Sequence, residues 1–201
     1  MYKITQQEFD ALPVIDGVKI CPAKTDLSSI ASFGQGCSFG EWCSFGEWCR
    51  FGQWCRFGGG CSFGGGCSFG EGCRFGQGCS FGQGCSFGQG CSFGQGCSFG
   101  QGCSFGVGCS FREWCSYNNH KLVGSYPLLQ MNGAGSVGRG TSAWSTEDGI
   151  IIRCGCFEGT LDEFRKRVVE THGDTSKHGR VYLGFANLCA VQFDREDELQ
   201  K

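Results

Sequence analysis

Cysteine recurs at every sixth position from Cys37 to Cys115, and phenylalanine at every sixth position from Phe33 to Phe111. Each of these phenylalanines from Phe39 onward follows a cysteine by two residues, and Tyr117 closes the series. A helix turning every ~3.6 residues cannot keep positions six apart on one side, so this period excludes a helical body. In an extended segment a spacing of two puts Cys and Phe on one face and the intervening Ser or Arg on the other. The glycines that follow, mostly in "GQG", supply backbone freedom for a bend. Each hexad is a very short strand plus a corner. No single hexad can bury its own Cys-Phe face, so the hexads must stack into a solenoid.

Written as "FGQGCS", the hexad resembles the repeat of the left-handed parallel β-helix proteins, where an aliphatic residue and a glycine precede a small residue at the fifth place. This chain has Phe where that family has Leu, Ile or Val, and Cys at the small position. The resemblance covers about half the chain and implies one triangular coil for every three hexads. The register extends backwards, with Leu27 on the Phe line and Thr25 and Ala31 on the Cys line. About five coils and a prism ~25 Å long follow. The expected fold is mainly β: a left-handed parallel β-helix over 27–117, a cap and entry segment over 1–26, and a small α+β domain over 118–201. The resemblance also implies a homo-oligomer, a trimer above others.

Eighteen cysteines and 37 glycines are far above ordinary usage. The opening "MYKITQQEFDALPVIDG" lacks a basic region followed by an apolar one, so the expected setting is reducing, with free thiols. Buried in the prism, such thiols act as small hydrophobes. No histidine is interleaved with them, and neither a metal site nor a cofactor is expected. From Phe33 to Tyr117 the bases Arg50, Arg56, Arg74 and Arg112 balance Glu41, Glu47, Glu71 and Glu113. A neutral body and a net charge of -2 give neither a DNA-binding groove nor a DNA mimic. No apolar run is long enough to cross a membrane.

Departures from the repeat single out candidate surfaces. Trp42, Trp48 and Trp54 replace the second corner glycine in three consecutive hexads, on all three corners of one coil. Trp114 returns to the first of those corners four coils later. Arg56 and Arg74 lie one coil apart on one face, with Ser38 and Ser92 beyond them. Two readings stand: the indoles shield the prism, or Trp42, Trp48, Trp54, Trp114, Arg56 and Arg74 form an interaction surface for a subunit or ligand.

Before the prism, "TQQE" has capping-box spacing for a short helix through Leu12, stopped by Pro13, and "VIDGVKI" enters the first coil as a strand. This segment is expected to cover the open end. After Tyr117, "YPLLQM" reads as a strand, "NGAGSVGRGTSAW" as a glycine-rich loop and "GIIIRCGCF" as a buried strand. "TLDEFRKRVVETHG" reads as a helix capped by Thr160 with Glu163 at the box position, burying Leu161, Phe164 and Val168 and ending at Gly173. A second helix around Arg180 to Cys189 and a last strand "AVQF" complete the unit. The stretch "GIIIRCGCFEGTLDEFRKRVVETHGD" resembles the C-terminal region of uncharacterised bacteriophage and prophage proteins. That resemblance spans about Met131 to Phe193 and implies an accessory protein in the cytoplasm of a bacterial host cell.

Candidate chemistry is sparse. "GAGSVG" matches G-x-G-x-x-G but leads towards a strand, not a helix, so a dinucleotide fold is not expected. Backbone N–H groups of that loop, with Ser136, Arg139 and Thr141, offer a phosphate-binding loop against the alternative of a simple turn. Many hexapeptide-repeat proteins are CoA-dependent acyltransferases with a histidine base. Here the repeats carry no inserted loop, and His120, the best candidate base, follows the prism. Cys154 and Cys156 of "RCGC" read as core residues two apart on one strand face. The expected function is a non-enzymatic binding protein that captures a host protein or a signalling nucleotide, with recognition in the C-terminal domain. Acyl transfer is the alternative.

Overall fold

The computed structural model describes residues 1–124, 127–134 and 139–195, apart from the side chains of residues 132–134 and 139. It divides into two compact units, Met1–Asn119 and His120–Lys201. The first is a parallel β-solenoid. The strands of its hexads are two residues long: Ser62–Phe63 pairs in parallel with Ser44–Phe45 on one side and Ser80–Phe81 on the other. Three such sheets run along the body, each taking every third hexad. Strands so short hold because the corners continue the ladder. The Gly58 N–H donates to the Phe39 carbonyl at 2.9 Å and the Gly60 N–H to the Gln77 carbonyl at 2.8 Å.

Phenylalanine, in place of an aliphatic residue, builds a core of three ring columns. Within a column the rings stack nearly parallel, as in Phe51–Phe69 at 4.8 Å and 4°. Between columns they meet edge to face, as in Phe57–Phe63 at 5.1 Å and 85°. Each ring thus presents its electron-rich face and its positive edge to suitable neighbours at once. The cysteines are free, and those on the repeat positions are buried, Cys109 alone being half-buried. Each interior thiol donates to a corner carbonyl of the preceding coil: Cys55 to Gly34 at 3.3 Å, Cys73 to Gly52 at 3.4 Å, Cys97 to Gly76 at 3.4 Å. A residue small enough to sit beside a Phe column and able to donate weakly fits this position.

The N-terminal end is capped as expected. Helix α1 (Gln6–Asp10) starts at Thr5 with a complete capping box to Glu8 and places Phe9 on Phe33 and Phe39, 5.2 and 6.2 Å between centroids. It stops at Asp10, before Leu12. "VIDGVKI" is a hairpin: Val14–Ile15 and Val18–Cys21 pair antiparallel around Asp16 and Gly17, both at positive φ. Val18–Cys21 then joins the solenoid beside Ser38–Phe39, and Tyr2–Lys3 pairs with Thr25–Leu27. Parallel stacking therefore begins within the first 26 residues.

The second unit is an antiparallel sheet in the order Leu128–Ala134, Arg139–Thr146, Gly149–Cys154, Phe157–Thr160. Helices α2 (Leu161–His172) and α3 (Lys177–Gln192) bury Leu161, Phe164, Phe185 and Cys189 with Ala143, Ile150 and Ile152 of the sheet. Thr160 and Glu163 close the expected capping box, and Gly173 ends α2 at φ 72°. Two expectations are corrected. Most of "GRGTSAW" is strand, because it pairs with a strand on each side and buries Thr141, Ala143 and Trp144. "AVQ" continues α3, because Tyr182, Phe185, Ala186, Cys189 and Ala190 carry the helical spacing through it. Among the described residues no helix is long and apolar enough to cross a membrane.

Candidate functional site

The second corner position of each hexad lies in the left-handed region, with φ between 64° and 79° at the glycines from Gly60 to Gly108. Trp42, Trp48, Trp54 and Trp114 occupy the same conformation at 59–63°. A residue with a Cβ costs about 1–2 kcal/mol there, which glycine avoids. The indoles are also exposed, Trp48 by 72%. Trp42, Trp48 and Trp54 lie on the outside of the next coil, where a Cβ on Gly60, Gly66 or Gly72 would strike the ring. One indole face is thus bedded on glycine while the residue stays open to solvent. Two of the three beds are signalled in the sequence: "FGGGCSFGGGC" follows the Trp42 and Trp48 hexads by one coil and has Gly59 and Gly65 where most hexads have Gln.

Trp42 and Trp114 stand at opposite ends of one corner. Between them runs a shallow groove of about 340 Å³ along Gly60, Gly78 and Gly96, with Gln77 and Gln95 beside it. Arg56 and Arg74 face each other in register on adjacent strands, both exposed. The structure therefore places the tryptophans and arginines of the expected surface on the outside of one rigid body.

In the second unit, Ser136 lies outside the described residues, as does the side chain of Arg139. Thr141 is fully buried, and its hydroxyl donates to the Cys154 sulfur at 3.3 Å. His120 Nδ1, half-buried, meets the exposed Asp148 Oδ2 at 2.8 Å, next to a Lys121–Glu147 ion pair. Cys154 and Cys156 do not share a strand face: Gly155 at φ 61° and Cys156 form the turn between two paired strands, which leaves Cys156 exposed. Both thiols line a groove of about 860 Å³ along α2 with Glu163, His172 and Tyr182. His172 stacks on Tyr182 at 5.6 Å. Among the described residues no cluster of His, Cys, Asp or Glu is arranged to hold a metal ion.

Thiol accessibility sets Cys156, which is exposed, apart from the buried solenoid thiols. Hydrogen bonding to Cys115, together with burial, pushes the Cys97 thiol up to about 12 against a lowering contact from Cys79, so it stays protonated and inert. Alkylation of the native protein at neutral pH is expected to modify Cys156 first and to spare the buried solenoid thiols. Denaturant should open all 18 to reagent, as peptide mass mapping would show. Rapid labelling of Cys73 or Cys97 in the native state would contradict the stacked core.

The fold and site define a class, a parallel β-solenoid that displays aromatic corners. No protein-family model, no curated protein and no solved structure matches the chain.

Proposed function

We propose that this chain is a non-enzymatic binding protein in which a hexapeptide-type β-helix is the rigid scaffold and captures a host molecule. One observation carries the reading. Four corners that glycine fills without strain hold exposed tryptophans in the left-handed conformation, three of them in a single coil. Strain and solvent exposure together are tolerated where a surface is used, and aromatic residues dominate such surfaces. Recognition thus falls to the solenoid corners at least as much as to the C-terminal unit. The tail resemblance suggests a phage or prophage setting, with counter-defence by capture of a host protein or signalling nucleotide. A homotrimer is the expected assembly.

Native mass spectrometry of protein purified from a bacterial host reads assembly and cargo together. The wild type should appear as an oligomer carrying a protein or small-molecule mass. The W42G/W48G/W54G variant, which restores the repeat, should keep its fold and lose that mass. If the variant unfolds, the indoles are structural and the reading fails. The same preparation, given acetyl-CoA and amine acceptors, should show no turnover that H120A abolishes.

A further inference from the structure

Trp54 differs from the other corner tryptophans in what surrounds it. Arg56 lies two residues beyond Trp54, and Arg74 lies two beyond Gly72, the glycine on which the Trp54 indole rests. The strands Arg56–Phe57 and Arg74–Phe75 pair in register with the two arginines opposite each other. One indole therefore bridges two coils, with an arginine at the same offset in each. Trp48 has Arg50 and Ser68 at those offsets, and Trp42 has Ser44 and Ser62.

Nothing in the fold calls for this arginine pair. The outward positions on either side in the same sheet are Ser38 and Ser92, so serine fits. Neighbouring strands lie about 4.8 Å apart, and like charges placed directly opposite each other repel. Among the described residues neither guanidinium has an ion-pair partner. A doubly charged anion between them would turn that repulsion into attraction, and planar guanidinium forks match phosphate oxygens. The free face of the Trp54 indole, bedded on Gly72 from below and 60% exposed, offers a stacking platform beside them.

We propose that Trp54, Arg56 and Arg74 form a nucleotide site, with the base stacked on the indole and a phosphate held between the two guanidiniums. The proposal rests on reading the tryptophan coil as a capture surface and names the ligand class. Trp54 turns the corner and Arg56 opens the strand that follows, so their Cα atoms lie no more than about 7 Å apart. That is the scale on which a mononucleotide separates its base from its phosphate. The site therefore selects for both parts together: pyrophosphate lacks the ring, and a nucleoside lacks the charge.

The test titrates the intact protein with ADP, adenosine and pyrophosphate, followed by calorimetry and tryptophan fluorescence. ADP should bind and quench fluorescence, with each half-ligand weaker by about tenfold or more. R56S/R74S and W54G both restore the repeat, so both should fold by circular dichroism and weaken ADP by about tenfold or more. V107Q, which restores the repeat at an exposed corner elsewhere, should bind as the wild type does. Added salt should weaken binding in the wild type. Absence of ADP binding, or unchanged binding in R56S/R74S, overturns the site. Pyrophosphate binding as tightly as ADP overturns the stacking half. If ADP fails while W42G/W48G/W54G still sheds a retained partner, the capture reading stands without the nucleotide site.

Discussion

Replacing Phe75 by alanine lowers the solenoid's melting temperature by about 10–20 °C, from a loss of about 3–5 kcal/mol. Phe75 sits mid-column, stacked on Phe57 at 4.8 Å and Phe93 at 5.1 Å. It also meets Phe69 and Phe81 edge to face at 5.0 and 4.9 Å. Truncation removes a buried ring, both stacked contacts and four edge contacts, those to Phe63 and Phe87 included, in one step. The cavity cannot close easily, because the flanking coils are pinned by backbone ladders on three sheets. F75L restores the aliphatic residue of the family that the repeat resembles and fills most of the space, so its loss should be under half as large. Thermal melts followed by circular dichroism, with F105L near the far end as a reference, would check this. Equal losses for F75A and F75L would mean that ring geometry, not volume, dominates the core.

The period of six made the solenoid legible, because only stacked strands can satisfy a Cys-Phe pair repeated so often. Both capping boxes were legible for a similar reason: Thr5 with Glu8 and Thr160 with Glu163 specify local hydrogen bonds that need no tertiary context. Tertiary pairing decided the rest. Gly140 to Trp144 reads as loop by composition, yet its backbone is held between two strands. The apolar run "AVQF" is too short to distinguish strand from helix, and the buried face of α3 settles it. At the candidate surface, the identity of the residues was legible and the seating of the indoles was not. That Trp54 occupies a left-handed corner follows from aligning it with glycine. That its ring ends on Gly72 depends on how one coil settles on the next.

A methyl group at Gly76 should do more damage than an indole at Gly78. The two glycines flank one corner but face different surroundings. A Cβ on Gly76 would sit 2.6 Å from the Gly59 nitrogen and 2.7 Å from the Gly58 carbonyl carbon, which are main-chain atoms of the preceding coil. Relief requires separating coils that hydrogen bonds hold together, including Gly76 N–H to Phe57 O at 2.8 Å. G76A is therefore expected to cost about 3 kcal/mol. A Cβ on Gly78 meets nothing within 4 Å, and only the left-handed φ of 66° opposes it. G78W should cost about 1–2 kcal/mol, the strain that Trp42 already bears at the same corner. The chain places a side chain at the first corner position of its last coil, at Arg112. There Phe111 is only half-buried, and its ring is tilted 18° from Phe93, against 3° for Phe57 and Phe75 deeper in the body. An end coil can yield in this way; Gly76 has coils on both sides and cannot. Urea midpoints of the two variants decide the matter, and a G78W less stable than G76A would show that the corners, not the close-packed coil contacts, limit what this solenoid can display.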